Sequence, residues 1–165
     1  MRQLECSDCG SMTEVTRGTY RFKESGISDV FLKGIELVKC HKCGNIDPII
    51  PRTNDLMRVL ALAVISQPNR LRGAHVRFLR KFIGKTGEEF SKLLHVDPAT
   101  LSKWENDEDR VGPQSDRLIR TIVLALSDGL KKELEAVINS FPAINEHSRQ
   151  KQIEIDPGKM SYEYA

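Results

Sequence analysis

The stretch KTGEEFSKLLHVDPATLSKWEN, residues 85–106, decides how the rest of this chain is organised. It predicts two short helices joined by a tight turn. Thr86 and Glu89 have the spacing of a capping box, in which each side chain accepts the backbone N–H of the other. The first helix should therefore run from about Gly87 to Leu94.

The second helix should begin at Pro98, because Asp97 can cap it and proline loses no hydrogen bond in a first turn. At 100° per residue, Leu101, Trp104 and Glu105 gather on one side, which predicts a packed face. The opposite side is small and polar, and it carries Ala99, Ser102, Lys103 and Asn106.

Small polar side chains and one cation let a helix approach base edges in the major groove of DNA. A helix pair with a short turn is also an ordinary packing unit, so the same pattern fits an all-α core with a solvated face. Helical periodicity leaves these two interpretations open.

From Arg72 to about Leu126 the chain resembles the Cro/phage-repressor class of helix-turn-helix domains, on the runs RFLRKFIGKTGEEFSKLLHV and LSKWEN. The resemblance implies an internal ion pair between Arg80 and Glu105. It assigns base contacts to Pro98, Ala99, Ser102 and Lys103, and phosphate contacts to Gly87 and Asn106. Proline and alanine replace the polar side chains usual at the helix tip. We therefore expect sequence recognition to depend more on the shape of the DNA than on direct hydrogen bonds to bases.

The composition describes a globular protein of one or two small domains: 165 residues, 39% hydrophobic and 29% charged. The net charge of +2 does not by itself indicate a nucleic-acid partner. Between Asn69 and Lys85, however, six cations occur without an acid: Arg70, Arg72, Arg77, Arg80, Lys81 and Lys85. Such a basic stripe fits either nucleic-acid binding or a solvated helix face.

The start of the chain lacks the apolar core of a signal peptide, and the longest apolar run, Val59–Ile65, is too short to span a bilayer. We therefore expect a cytoplasmic protein with no membrane partner. In a reducing cytosol, four cysteines in two close pairs favour a metal site over disulfides.

Two copies of Cys-x-x-Cys-Gly occur, at Cys6/Cys9 and Cys40/Cys43, with 30 residues between the pairs. Two intervening residues let both thiolates point inward from one turn, and the following glycine lets the chain turn away. Two such knuckles predict a closed tetrahedral site for one structural Zn²⁺. His41 lies inside a knuckle and is not needed as a ligand.

Two alternatives use the same cysteines: a rubredoxin-like iron site with four thiolate ligands, and a thioredoxin-like redox pair. The redox interpretation requires one motif at the start of a helix, whereas the stretch between the pairs has the alternation of strands. A small antiparallel sheet is expected there, with too few apolar residues to fold without a metal.

The predicted fold class is α+β, a small N-terminal zinc-bound antiparallel β module followed by an all-α five-helix helix-turn-helix domain. The predicted segments are a zinc module at 1–51, an apolar helix (Asp55–Ser66) with its linker at 52–71, the helical domain at 72–141 and a mobile or locally ordered polar tail at 142–165. The five helices are predicted at Ala74–Ile83, Gly87–Leu94, Pro98–Asn106, Ser115–Leu126 and Asp128–Ser140.

No catalytic constellation is visible, so we do not expect an enzyme. Gly-rich phosphate loops are absent from the sequence, and the acids follow helix caps and surfaces. His75, His95 and His147 are scattered and are expected at the surface or at its boundary.

From Met1 to about Leu126 the order of motifs resembles the MqsA/YgiT-type family: paired knuckles, an Ile50–Arg52 exit, an apolar helix, then RFLRK and VGPQSDRLIR. This resemblance implies a homodimer held mainly through the helical half, binding a palindromic operator. It also implies that the zinc half docks a toxin in those members that are antitoxins. The family's base-reading Asn and Arg correspond here to Ala99 and Lys103, and the 39 residues after Leu126 have no counterpart in the resemblance.

The leading functional hypothesis is a sequence-specific DNA-binding transcriptional regulator, an autorepressor of the antitoxin type with a structural zinc. The first alternative is an interaction protein whose zinc module docks and neutralises a toxin. The second is a rubredoxin-like iron-binding protein.

Overall fold

The computed structural model describes residues 4–145 and 147–165. The first three residues of the predicted zinc module and residue 146 of the predicted tail lie outside the described residues. Within these ranges the chain has the predicted α+β character. The helices are α1 (Thr53–Ser66), α2 (Gly73–Phe82), α3 (Gly87–Leu94), α4 (Pro98–Glu105), α5 (Pro113–Leu126) and α6 (Leu134–Ser140), and the strands are β1 (Glu14–Arg21), β2 (Val30–Lys39), β3 (Ile46–Ile49), β4 (Ile153–Asp156) and β5 (Ser161–Tyr164).

The caps of α3 and α4 are the ones that the sequence predicts. The Thr86 hydroxyl accepts the Glu89 N–H at 3.2 Å, and the Glu89 carboxylate accepts the Thr86 N–H at 2.8 Å. Asp97 caps α4 by accepting the N–H of Ala99 at 2.8 Å. Between the helices His95 takes a left-handed backbone conformation (φ 54°), which makes the turn tight.

The sheet is organised around β2, which pairs with a different strand at each of its ends. Antiparallel β1 lies along one side, and on the other side β3 pairs with the C-terminal end. The N-terminal end pairs in parallel with β4, at Val30↔Ile153 and Leu32↔Ile155, and β5 follows antiparallel to β4. The three strands of the N-terminal module pair antiparallel, as predicted, but the whole sheet is mixed because β4 from the C-terminal segment joins it in parallel.

The tail, predicted to be mobile or only locally ordered, contains two strands that join the sheet. In β4, Ile153 and Ile155 alternate with acidic residues, and both isoleucines are buried against the core. A four-residue strand is too short to stand out in a polar segment, and its partner strand lies far away in the chain. The segment bounds at 51, 71 and 141 stay a prediction.

The apolar helix α1 is covered by its own chain. Leu56, Leu60 and Val64 are fully buried, and α1 packs against β4 and β5 as well as against α2 and α6. The Tyr164 hydroxyl at the end of β5 donates to the backbone carbonyl of Ala63 at 2.7 Å. The sheet and the helices consequently share one continuous apolar core.

A buried arginine fixes the segment between α1 and α2. Arg120 of α5 is 1% exposed and donates to the backbone carbonyls of Ile65 (2.5 Å), Gln67 (2.8 Å) and Asn69 (2.6 Å). It also pairs at 2.7 Å with Asp116, whose other oxygen accepts the Leu71 N–H at 2.7 Å. The pair thereby satisfies the end of α1 and holds the chain that leads into α2.

Two local expectations are corrected. His75 is buried, because it lies on the inner face of α2 and its Nδ1 accepts the Arg72 N–H at 3.1 Å. Burial, followed by the charges of Arg72 and Arg120, lowers the pKa of His75 to about 3. The last helix begins at Leu134 rather than Asp128, because the preceding residues form a left-handed glycine turn and a 3-10 turn.

None of the helices in the described part of the chain combines the length and apolar character needed to cross a bilayer.

Candidate metal centre and candidate nucleic-acid interface

The four cysteines meet at one point, as their spacing predicts. The Sγ atoms of Cys6, Cys9, Cys40 and Cys43 all lie within 4.8 Å of one another. The shortest distances run between the two knuckles, at 3.5 Å for Cys6–Cys43 and for Cys9–Cys40. A tetrahedral metal with metal–sulfur bonds of about 2.3 Å requires sulfur separations of about 3.8 Å, so this set fits a four-thiolate site.

The two knuckles are built alike. In each, the glycine N–H donates to the carbonyl of the first cysteine at 3.0 Å, Gly10 to Cys6 and Gly44 to Cys40. Both glycines have a positive φ, 67° and 78°, which a side chain would make unfavourable. Because β2 ends at Lys39, the central strand delivers the second knuckle directly to the site.

The thiol pKa values differ from one cysteine of the cluster to another. Hydrogen bonds from the side chain and backbone of Ser11 lower the pKa of Cys9 to about 6. For Cys43 a backbone hydrogen bond from Asn45 acts in the same direction, but hydrogen bonds with Cys40 and Cys6 prevail and raise its pKa to about 12. The pKa of Cys40 is also lowered, chiefly by a backbone hydrogen bond with Cys43. Negative charge is thus favoured at Cys9 and Cys40 and opposed at Cys43, and a bound cation would stabilise all of the thiolates.

His41 does not join the cysteines. Its side chain is 76% exposed, and its Nε2 lies 3.0 Å from the Glu14 carboxylate on β1. A second polar contact, from the Ser7 hydroxyl to Asp47 at 2.9 Å, connects the first knuckle to β3. The site is therefore a possible metal centre of four sulfur atoms, held by β1, β2 and β3.

The second candidate site is the exposed face of α4. Leu101 and Trp104 are buried, as the helical spacing predicts. The residues predicted to contact bases are all exposed: Pro98, Ala99, Ser102 and Lys103. Gly87, at the start of α3, is partly exposed, and Asn106 follows α4 on the surface.

A salt-bridge network holds α4 against α2. Arg80 binds both carboxylate oxygens of Glu105, at 2.6 and 3.0 Å, in the pairing that the resemblance implies. This hydrogen bonding raises the pKa of Arg80. Arg77 donates to the Glu105 carbonyl (2.9 Å) and to the Asn106 side-chain oxygen (2.6 Å). Two cations of the predicted basic stripe are therefore used inside the protein.

Close backbone packing adds to this network. A Cβ atom on Gly73 would lie 2.5 Å from the Trp104 carbonyl oxygen, so only glycine fits where α2 starts against the end of α4. Lys103, by contrast, makes no salt bridge with any other residue in the described ranges. The inner side of α4 is thus held rigidly by packing and by salt bridges, whereas the Lys103 ammonium on its outer side is exposed to solvent.

Sequence reasoning missed three residues that position this face: Arg77, Gly73 and Arg120. Asp116 and Arg120 have the i, i+4 spacing of a helical ion pair, which was a usable signal. The close approach at Gly73 left no signal in the sequence.

Comparisons of this chain with protein-family models, with curated proteins and with solved structures gave no match.

Proposed function

We propose that this protein is a sequence-specific DNA-binding regulator in which α3 and α4 form a helix-turn-helix unit. The observation that carries the proposal is the two-sided character of α4: its apolar side is buried, while the side with Ala99, Ser102 and Lys103 is open to solvent. A rigid helix with a small polar outer face is what major-groove docking requires.

Each exposed residue has a role in this proposal. Ala99 permits close approach and can contact a thymine methyl group, Ser102 can hydrogen-bond to either a base or a phosphate, and Lys103 supplies a cation. Gly87 and Asn106 would contact phosphates at the two ends of the unit. Because Pro98 offers no hydrogen bond, much of the specificity would come from DNA shape.

We infer that the four cysteines hold one structural Zn²⁺. When bound, the metal would neutralise the thiolates and crosslink the two knuckles, and four sulfur ligands would leave no coordination position for catalysis. The role proposed for the whole protein is accordingly not enzymatic. Metal analysis distinguishes the alternatives, because zinc–thiolate protein is colourless whereas a rubredoxin-like iron site is red.

A homodimer binding a palindromic operator completes the proposal. Leu118 and Leu126 on α5, and Ile138 on α6, are large apolar residues with 41%, 50% and 44% exposure. Leu118, Ile122 and Leu126 recur every four residues on one side of α5, the spacing of a helix–helix contact. Together with the resemblance to the MqsA/YgiT-type family, this supports a dimeric autorepressor of the antitoxin type.

The test is binding of the full chain to a duplex from its own promoter at several salt concentrations. Lys103→Ala is expected to weaken binding and to reduce the slope of log K against log salt by about 1, because one cationic contact is lost. Lys159→Ala is the matched control, since Lys159 is an exposed lysine on the β4–β5 turn. Equal affinity and slope for Lys103→Ala and the unmodified chain would exclude the groove assignment.

A second function, docking of a toxin by the zinc half, is favoured by two exposed apolar side chains there. Met12 and Ile46 flank the knuckles with 56% and 46% exposure. If this surface binds a toxin encoded by a neighbouring gene, Met12→Asp combined with Ile46→Asp should abolish neutralisation on co-expression while leaving operator binding intact. Neutralisation by the double variant at the unmodified level would reject this function.

A further inference from the structure

A cleft of about 590 Å³ lies beside the end of α4. Its walls come from three places: the segment before α2, the loop after α4, and His147, Ser148 and Gln150 of the C-terminal segment. Small-molecule sites typically have volumes of about 300–1,000 Å³. Neither the cysteine cluster nor the proposed DNA-contacting residues line this cleft.

Among the described residues that line the cleft, three arginines (Arg70, Arg72 and Arg110) outnumber two aspartates. Arg72 and Arg110 line it, are exposed, and form no salt bridge within residues 4–145 and 147–165. The two aspartates of the cleft keep their charge, and each is oriented by one backbone group: Asp107 accepts the Gly73 N–H at 2.7 Å, and Asp109 accepts the Arg110 N–H at 2.8 Å. Two guanidinium groups without a salt bridge to any described residue therefore face the same space.

The inner wall adds an unpaired acceptor and an apolar floor. Asn69 is 2% exposed, and its amide nitrogen donates to the Ser148 hydroxyl and to the Arg149 carbonyl. Its Oδ1 is buried without a hydrogen-bond partner, and a ligand donor would satisfy it once the side chain turns towards the cleft. Buried Trp104 and Val111 line the same cleft and supply apolar surface.

We propose that this cleft binds a small phosphate ester that carries hydroxyl groups, the chemistry of a pentose phosphate or of the sugar phosphate of a nucleotide. Arginine forms bidentate, charge-assisted hydrogen bonds with phosphate, which assigns the phosphate to Arg72 and Arg110. A sugar hydroxyl supplies the donor that the Asn69 Oδ1 lacks. The carbon skeleton rests on Trp104 and Val111.

The ligand would also act on the DNA-contacting face. Trp104 follows Lys103 directly in α4, and the loop that lines the cleft begins where that helix ends. Occupancy would add negative charge beside this end of α4 and so change the affinity of the protein for its operator. This regulatory part of the inference rests on the proposed function, whereas ligand binding itself does not.

The test uses the fluorescence of Trp104, the only tryptophan in the sequence, in the full chain. Ribose 5-phosphate is expected to give a saturable change, inorganic phosphate a weaker one and ribose none. Arg72→Gln and Arg110→Gln should each weaken ribose 5-phosphate binding about tenfold, the effect of one lost charge-assisted contact. Arg58→Gln, at an exposed arginine outside the cleft, should leave the titration unchanged.

Three outcomes would overturn the proposal. The first is no saturable fluorescence change with either phosphate probe up to about 10 mM. The second is identical titrations for Arg110→Gln and the unmodified chain, and the third is an Arg110-dependent response to duplex DNA alone. The third outcome would assign the arginines to the DNA backbone. A chain that binds ribose 5-phosphate through Arg110 but binds no DNA would support the cleft and refute the regulator, so the two proposals fail separately.

Discussion

Replacing Arg120 by methionine should destabilise the fold more than any change at the surface. Methionine keeps much of the side-chain length but removes every donor that the guanidinium provides. Asp116, which is 2% exposed, is left as a buried carboxylate without its cation, and the carbonyls of Ile65, Gln67 and Asn69 lose their donor.

The magnitude follows from these lost contacts. Removing one partner of a buried ion pair lowers the free energy of unfolding by about 3–5 kcal/mol, and each orphaned acceptor adds about 1–3 kcal/mol when water cannot reach it. Because the contacts share one side chain and partial relaxation offsets some of the loss, we expect a decrease of about 4–6 kcal/mol. For a domain whose total stability is about 5–15 kcal/mol, this is a large fraction.

The assay is urea unfolding of the full chain in the presence of Zn²⁺, followed by Trp104 fluorescence and by far-UV circular dichroism. Arg58→Met removes the exposed pair with Asp55 (3.2 Å) and should change the free energy of unfolding by less than about 1 kcal/mol. Arg120→Met combined with Asp116→Asn removes the buried charge and should recover about 2 kcal/mol.

If the free energy of unfolding falls no more in Arg120→Met than in Arg58→Met, the buried contacts of Arg120 are not a major source of stability. If the single variant is unfolded in water, the double variant decides the matter. A double variant that is no more stable than the single one would show that the stranded Asp116 charge is not the source of the loss.

Three further changes have calculable outcomes. Gly73→Ala places a Cβ 2.5 Å from the Trp104 carbonyl oxygen, so it should lower the free energy of unfolding by about 1–3 kcal/mol in the same urea titration. Gly87→Ala is the control, because Gly87 has open space around it and the change should have little effect. His75 has a folded pKa of about 3 against 6.5 for the ordinary side chain, so the unfolded state alone binds its proton as the pH falls. Stability should therefore be lost between about pH 6.5 and pH 3, at up to about 1.4 kcal/mol per pH unit, and His75→Asn should flatten this slope in pH-dependent unfolding. Ile155→Ala should lower the free energy of unfolding by about 2–4 kcal/mol, because the side chain is fully buried. Lys151→Ala, at an exposed residue of the same segment, should leave it unchanged. Equal free energies of unfolding for the two variants would mean that β4 does not contribute to the core.

The parts of the fold that short-range chemistry encodes could be predicted from the sequence. The capping box of Thr86 and Glu89 involves neighbours along the chain, and the buried and exposed sides of α4 follow from helical spacing alone. The cysteine cluster was predictable because two knuckles of fixed spacing have few ways to satisfy one metal.

What could not be predicted depends on residues that are distant in sequence. The parallel pairing of β2 with β4 joins Val30 to Ile153, and nothing local in either segment specifies the partner. His75 was misplaced because its burial depends on the packing of α2 against other elements of the fold. The cleft beside α4 has the same origin, since three separate segments form its walls.

The position of β4 has a consequence for biosynthesis. As the chain leaves the ribosome, β2 emerges early with one edge partly uncovered, and that edge stays open until residues 153–156 have been made. An unpaired strand edge is a template for association with other chains, and closing such a long loop is slow. We therefore expect the nascent protein to be most prone to aggregation before β4 appears. A ribosome-bound chain stopped short of that strand should be sensitive to protease even in the presence of Zn²⁺.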